Sequence, residues 1–430
     1  TLGTGASQSG FGRTGTVDWQ TTAKTGDFTA ANGEGYFINT TSGEINVTLP
    51  SASAGDIIAV QDYNNTFDAN QCIITAPSGV KINGGTAAGT LNLATEGQGL
   101  TLVYVDSTVG WRSVDSTTFS SASTTPSYIT ATGGTITTVD TNYKVHTFTG
   151  PGTFCISAGS GPLSMLDYLV IAGGAGGSRG GGGAGGFRES HSAPVSGPYT
   201  ASPLATPTSL GPFNPGPISV TVGAGAAAVC TGSPYPVGNS GNPSTFSTIT
   251  SAGGGGGGGY HASSAQPYTV GAAGGSGGGG GAYNSPTNTE AGGAGNTPPV
   301  SPPQGNTGGN GSYQVSTHTA GGGGGGAGAV GSASPAGGAP APSAAGGAGG
   351  AGSTTNINGS PVQRAAGAGG SSNVGNGGTG GAGGGGTGGG PGTTMTNGTA
   401  NTGSGGGGYQ ATGCGGAGGS GIVIIRYRFQ

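Results

Sequence analysis

From residue 170 onward the chain returns again and again to blocks of nearly pure glycine: Gly253 to Gly259, Gly277 to Gly281, Gly321 to Gly326, Gly383 to Gly386 and Gly405 to Gly408. Such blocks have no side chains to bury, so the hydrophobic term that holds most domains together is nearly absent from them. Ordering a residue costs roughly 1–2 kcal/mol, more for Gly, whereas a net hydrogen bond returns about 0.5–1.5 kcal/mol. Only near-complete backbone pairing can balance the two. An α-helix penalises Gly by about 1 kcal/mol relative to Ala, and an all-Gly sheet has neither packing nor register. The extended threefold helix remains. It has about 3.1 Å of rise per residue and no internal hydrogen bonds, so its N–H and C=O groups are free to saturate neighbouring helices. Seven residues would span about 22 Å.

The contrast with the first part of the chain is sharp. Residues 170–430 hold 84 of the 107 glycines and 21 of the 26 prolines. Between the glycine blocks lie segments rich in Pro, Thr, Ser, Asn and Tyr, among them Tyr260 to Val270, Tyr283 to Glu290 and Asn296 to Thr319. These are turn and loop residues. The expectation is a polyglycine II bundle whose rods are joined by loops at both ends, with essentially no α-helix.

The alternation of glycine blocks with polar loops resembles the polyglycine II sandwich of receptor-binding adhesins at the tips of bacteriophage long tail fibres. The phrases at 168–190, 244–259 and 415–429 are similar to a glycine-rich module of marine-phage fibre proteins. A second resemblance to such fibres covers 24–63 and 103–114. What these resemblances imply is a virion fibre or tail-fibre tip protein, bacteriophage in origin, located on the particle surface. Its glycine-rich domain would adsorb to a host cell-surface protein or glycan. They also imply a homotrimer, with other virion fibre, tail or capsid proteins bound through the N-terminal region.

Along the chain, residues 1–23 read as a connecting arm and 24–115 as a small all-β module. Its short runs are GYFINTT (35–41), EINVTLP (44–50), DIIAVQDY (56–63), QCIITAP (71–77), VKINGG (80–85), LTLVYVD (100–106) and GWRSVD (110–115), with a hairpin-like turn at Asn83-Gly84-Gly85. Residues 116–126 form a Ser/Thr linker, and 127–169 a second short β module. The glycine-rich domain fills 170–430, closed by a terminal strand at 421–429. The fold class expected is therefore mainly β modules followed by the polyglycine bundle. Leu169 to Ile171 is expected to pair with Ile422 to Ile425, since both are apolar and strand-sized and clamp the two ends of the glycine field.

The net charge of −4 divides into −7 for residues 1–169 and +3 for the rest. With five arginines in the glycine field, no nucleic-acid footprint is expected. No apolar run approaches the length of a membrane span, so no membrane insertion is expected. No Gly-Lys-Ser/Thr follows any of the many G-x-G-x-x-G matches. The carboxylates Asp56, Asp62, Asp68 and Asp106 read as turn residues rather than a glycosidase pair, and Ser/His/Asp sets cannot be assembled by order. No enzyme activity, cofactor or metal site is expected. The four cysteines, Cys72, Cys155, Cys230 and Cys414, are too sparse for a disulfide scaffold, and Cys155 is expected in a core. Trp19 and Trp111 are expected in a domain or trimer core.

Candidate receptor contacts are the aromatic and imidazole side chains in or beside the loops: Tyr260, His261, Tyr268, Tyr283, Tyr313, His318 and Tyr409. Tyrosine offers an apolar face and a hydroxyl, suited to sugars or protein loops. The competing role for each is to cap the end of a glycine rod. Two other classes stand beside the adhesin: a purely structural virion decoration or filament, and an ice-binding glycine-rich protein, for which these loops are long and irregular.

Overall fold

The computed structural model describes residues 17–114, 127–230, 236–261, 268–283, 289–314, 318–335, 345–410 and 413–430. The chain divides into two compact units, meeting at Ser127 and Tyr128. Helix among the described residues amounts to Ala193–Ser196 and a 3-10 turn at Gly161–Leu163. The 116–126 linker falls outside the described residues, as do 1–16.

In the first unit the chain steps back and forth between two sheets. Asp18–Lys24, Glu34–Ile38 and Ile57–Asp62 pair in parallel in one, while Phe28–Thr29, Ile45–Thr48 and Cys72–Thr75 pair in parallel in the other. This coil closes with antiparallel strands Thr90–Leu93, Gly99–Asp106 and Gly110–Ser113. Alternating inward residues, including Ile38, Val47, Ile74, Leu93 and Trp111, fill the space between the sheets around Phe67. Two expectations are corrected. The arm does not extend to residue 23, because Asp18–Lys24 is a strand whose Trp19 stacks on Phe37 at 5.0 Å. Nor does Asn83-Gly84-Gly85 close a hairpin, since Ile82 makes only an isolated parallel bridge to Trp111.

The second unit runs from Tyr128 to Gln430, so the short β module and the glycine field are one body rather than two domains. The physical reason is the terminal strand, Ile422–Arg428. It lies between Tyr143–Phe148 and Asp167–Ile171 in a six-stranded sheet, pairing antiparallel with both. Leu169 faces Ile424 and Ile171 faces Ile422, as their apolar patterns require. A five-stranded sheet, containing Gly152–Ser160, Gly216–Thr221 and Ser244–Phe246, shares a core with it built on Phe154, Phe246, Val170, Val423 and Tyr427. Cys155 is exposed, because the inward positions of its strand are Phe154 and Ile156.

Beyond the sheets stands the polyglycine II bundle, and its hydrogen bonds repeat every three residues. Gly173 and Gly176 donate to the carbonyls of Asn242 and Asn239; Gly174 and Gly177 to Gly419 and Gly416; Ala175 and Ser178 to Gly183 and Gly180. The carbonyls of the same rod accept from three more directions: Gly173 and Gly176 from Gly254 and Gly257, Ala175 and Ser178 from Gly406 and Tyr409, and Gly174 from Ala226. One rod therefore touches six others, three as donor and three as acceptor. The rod at 321–326 repeats the arrangement, donating in threes to Ser371 and Ala368, Gly280 and Gly277, and Ser332 and Ala329. Contact this close leaves no room for a side chain at most glycine positions. A Cβ at Gly256 would overlap the carbonyl of Gly238, and one at Gly324 that of Gly182.

Candidate functional site

Hydrogen-bond registers fix the direction of every rod, and with it the two ends of the bundle. The rod leaving Asp167–Ile171 runs from the sheets to a turn at Ser178 and Arg179, and 180–186 returns. Rods 253–259 and 403–409 run parallel to the outgoing one, because their N–H groups meet its carbonyls in ascending order. They therefore deliver Tyr260 and Tyr409 to the end away from the sheets. By the same reasoning 276–281 delivers Tyr283 and 306–311 delivers Tyr313 there, while Tyr268 and His318 begin rods that return. All seven candidate residues thus lie at one end.

Short strands knit that end together. Tyr260–His261 pairs in parallel with Ala282–Tyr283, and Gly311–Gln314 pairs with both Thr289–Glu290 and His318–Ala320. Tyr268 is 44% exposed, whereas Tyr409 is only 3% exposed. Tyr409 thus sits as a rod cap, its N–H donating to the Ser178 carbonyl at 2.6 Å, and it also lines a cleft at this end. The guanidinium of Arg179 sits over the Tyr260 ring at 5.1 Å. The described residues flanking 231–235, 262–267, 284–288, 315–317, 336–344 and 411–412 all belong to this end, and those segments lie outside the described residues.

Charge is segregated. Asp140, Lys144, Asp167, Arg188, Glu189, Arg364, Arg426 and Arg428 lie on the strands and turns at the sheet end. At the loop end the charged residues are Arg179, 7% exposed, and Glu290, 4% exposed and bonded to Thr269 Oγ1 at 2.7 Å. Among the described side chains at that end, Tyr268 is an exposed ring and Tyr260 a half-buried one.

Two features went unread in the sequence. Cys230 and Cys414 form a disulfide at the loop end, where the rods holding them terminate side by side. Beside it opens a cleft of about 280 Å³, lined by Gly389, Gly390, Thr393, Met395, Tyr409, Gln410, Gly413 and Cys414. Spacing could not reveal the pair, since its members are 184 residues apart and only the fold of the rods joins them.

The sheet end carries a buried polar knot. Asp167 accepts from Ser190 Oγ at 2.7 Å, Ser192 N–H at 2.8 Å and Ser196 Oγ at 2.5 Å, with His191 Nδ1 3.2 Å from Ser196 Oγ. A Ser, a His and an Asp are thus brought together, but the serine proton goes to the aspartate and Ser196 is fully buried. A nucleophilic relay needs the serine to donate to the histidine and the carboxylate to orient that histidine. Nearby Glu189 accepts from Thr355 and Ser202, and burial pushes its carboxyl above the usual range. In the first unit Asp62 accepts the N–H groups of Thr66, Phe67 and Gly97, and Asp106 those of Thr108 and Val109. These carboxylates staple turns. Among the described residues no three His, Cys, Asp or Glu side chains gather as metal ligands, and no helix is long and apolar enough to cross a membrane.

A family model described as a glycine-rich domain matches residues 148–428, most of the second unit, from the end of Tyr143–Phe148 to the end of the terminal strand. The chain belongs to the glycine-rich domain family. Within this glycine-rich domain the match takes in the bundle, its loop end and the strands that close it. A search of curated proteins finds no match.

Proposed function

We propose that the chain is an attachment protein of a bacteriophage fibre, whose glycine-rich domain presents its loop end to a host bacterial surface receptor. The observation that carries this reading is the convergence of Tyr260, His261, Tyr268, Tyr283, Tyr313, His318 and Tyr409 on one end of the bundle. Rods six neighbours deep hold that end, so loops can vary there without disturbing the backbone lattice. Rigid presentation lowers the ordering cost of binding. The chain enters the unit at the opposite end, through Ser127–Thr132 in the five-stranded sheet. The first unit then serves as stalk, trimeric by its resemblance to fibre modules, and joins the remaining virion proteins.

The test is adsorption of the purified full chain to a panel of bacterial strains. Replacing His261 and Tyr268 by Ser and Tyr260 by Phe, which keeps a ring against Arg179, should leave melting close to the parent and weaken adsorption. Truncation to residue 167 is unsuitable, because it strips Tyr143–Phe148 from the terminal strand. Equal adsorption by the parent and the triple variant would refute the assignment. Absence of adsorption with every strain would favour a filament that binds nothing.

A further inference from the structure

We infer that the cleft beside the Cys230–Cys414 disulfide is a binding subsite for an uncharged sugar residue, an inference that rests on the attachment reading and gives it a ligand class. Among the described residues no charged side chain lines the cleft. An anionic or cationic ligand would therefore find no counter-charge, and its desolvation would go uncompensated. What the walls do offer is a hydroxyl from Thr393, an amide from Gln410 and apolar surface from Met395 and the disulfide. That mixture suits the hydroxyl-bearing edge and the C–H face of a pyranose ring. At about 280 Å³ the cleft falls just below the range of about 300–1,000 Å³ for drug-sized ligand sites, a size for one or two rings.

A peptide is disfavoured by the backbone. Strand addition needs an unpaired edge, yet Gly389 N–H already donates to the Gly408 carbonyl at 2.8 Å. Gly390 and Thr393 exchange two hydrogen bonds with each other, at 2.9 and 3.0 Å. Along 389–393 the backbone is thus already engaged, and Thr393 and Gln410 offer side-chain groups to a small polyhydroxyl body. The same bonds, with the disulfide at Cys414, hold the cleft in shape before a ligand arrives.

Gly389 supplies the independent observation. At most rod positions an added Cβ would come within 3 Å of a neighbouring rod's backbone, so glycine is forced by the lattice. At Gly389 it is not. A Cβ there would meet the Gly408 carbonyl and Met395 Cβ at 3.5 Å, ordinary contact distances, and the Tyr409 Cα at 3.7 Å. Alanine would fit, and a longer side chain would extend among the residues that line the cleft. The missing methyl keeps the cleft open where packing alone would have allowed it to close.

Saturation-transfer NMR on the full chain, with neutral hexoses, N-acetylhexosamines and their disaccharides as probes and sialic and glucuronic acids as charged controls, tests the site. A neutral sugar should give transfer that raised salt leaves unchanged. Gly389→Leu should weaken it by roughly tenfold or more, and Thr393→Trp, at the half-buried rim, should do the same if the leucine variant does not fold. No transfer from any neutral sugar overturns the inference, as does transfer confined to the charged controls, or wild-type binding by a folded cleft-filling variant. The two readings fail separately. Sugar transfer without adsorption to any strain removes the attachment reading and leaves the subsite. Adsorption that Gly389→Leu and Thr393→Trp do not alter, with no sugar transfer, removes the subsite and leaves attachment.

Discussion

Cys230 and Cys414 are joined across the loop end of the glycine bundle, although 184 residues separate them in the chain. Cys230 ends the outgoing rod that follows Gly216–Thr221, and Cys414 begins the rod that returns to Ile422–Arg428. The sheets hold the near ends of both rods; the disulfide holds the far ends. A bundle with little hydrophobic packing at its distal end is thereby closed at both.

Reduction should act on that distal end first. In the chain-entropy model, cross-linking a loop of 184 residues is worth about 5 kcal/mol through the unfolded chain. Cys230→Ser with Cys414→Ser is therefore expected to lower the melting temperature of the second unit by several degrees. Hydrogen exchange should rise in 223–230 and 414–421 before it rises in the strands. Uniform loss of protection across the unit would contradict a local clamp.

The glycine lattice makes a second prediction. Gly256→Val or Gly324→Val puts a β-branched side chain against the carbonyls of Gly238 or Gly182, and no rotamer relieves the overlap, since Cβ itself collides. The cost should exceed the roughly 1–3 kcal/mol of ordinary overpacking, because the backbone of a neighbouring rod must move. Calorimetry should show the transition of residues 128–430 lowered or lost and that of the first unit retained. Gly389→Ala, where the Cβ has room, is the control that should melt like the parent.

Much of this fold could be read in the residues because glycine leaves so few solutions. Blocks such as Gly253 to Gly259 admit only a lattice that pairs every backbone group, and the apolar runs at Leu169 and Ile424 find each other because nothing else in that half matches them. The parallel coil of the first unit was not legible. Short alternating strands look alike whether the chain turns back at once or crosses to a second sheet, and only the register of Tyr36 against Val60 distinguishes them. Cys155 shows the same limit at one residue: its strand was evident, its face was not, since a shift of one position exchanges core for solvent. The loop tyrosines were identifiable one by one. Their convergence, and the cleft between Gly389 and Cys414, depend on rod directions that no local pattern encodes.

Acid should weaken the second unit through His146. Its ring is fully buried, with Nδ1 2.7 Å from the Gly133 carbonyl and Nε2 3.0 Å from the Tyr427 hydroxyl, and it meets Phe154 edge-on. Burial, and secondarily the charge of Lys144, hold its pKa below the ordinary 6.5, while the Gly133 bond opposes them. The unfolded chain therefore binds a proton at a pH where the folded one does not, so stability falls as pH drops below about 6.5. His191, whose pKa burial also lowers, acts in the same direction. His146→Asn should flatten the fall in melting temperature between neutral and mildly acid pH, and adding His191→Asn should flatten it further. An unchanged slope would assign the acid response elsewhere.

Arg426 and Asp140 should respond very unequally to mutation. Their side chains meet at 2.6 Å, but the arginine is fully buried whereas the aspartate side chain is 58% exposed. Water can replace Asp140, so Asp140→Asn should cost less than about 1 kcal/mol, the range of exposed pairs. Arg426 has other duties. Its guanidinium donates to the carbonyls of Ser196 and Ile357 and packs against the rings of Tyr199 at 4.8 Å and Tyr143 at 5.0 Å. One side chain on the terminal strand thus ties together segments from 140, 196 and 357. Arg426→Leu keeps bulk but leaves two carbonyls without their donor, and by the measure of broken buried pairs it should cost about 3–5 kcal/mol. Arg426→Lys should recover only part, because a single ammonium cannot span the fork that reaches Ser196, Ile357 and Asp140 together. If chemical denaturation finds the two sites equally sensitive, the ion pair rather than the carbonyl and ring contacts holds the terminal strand in place.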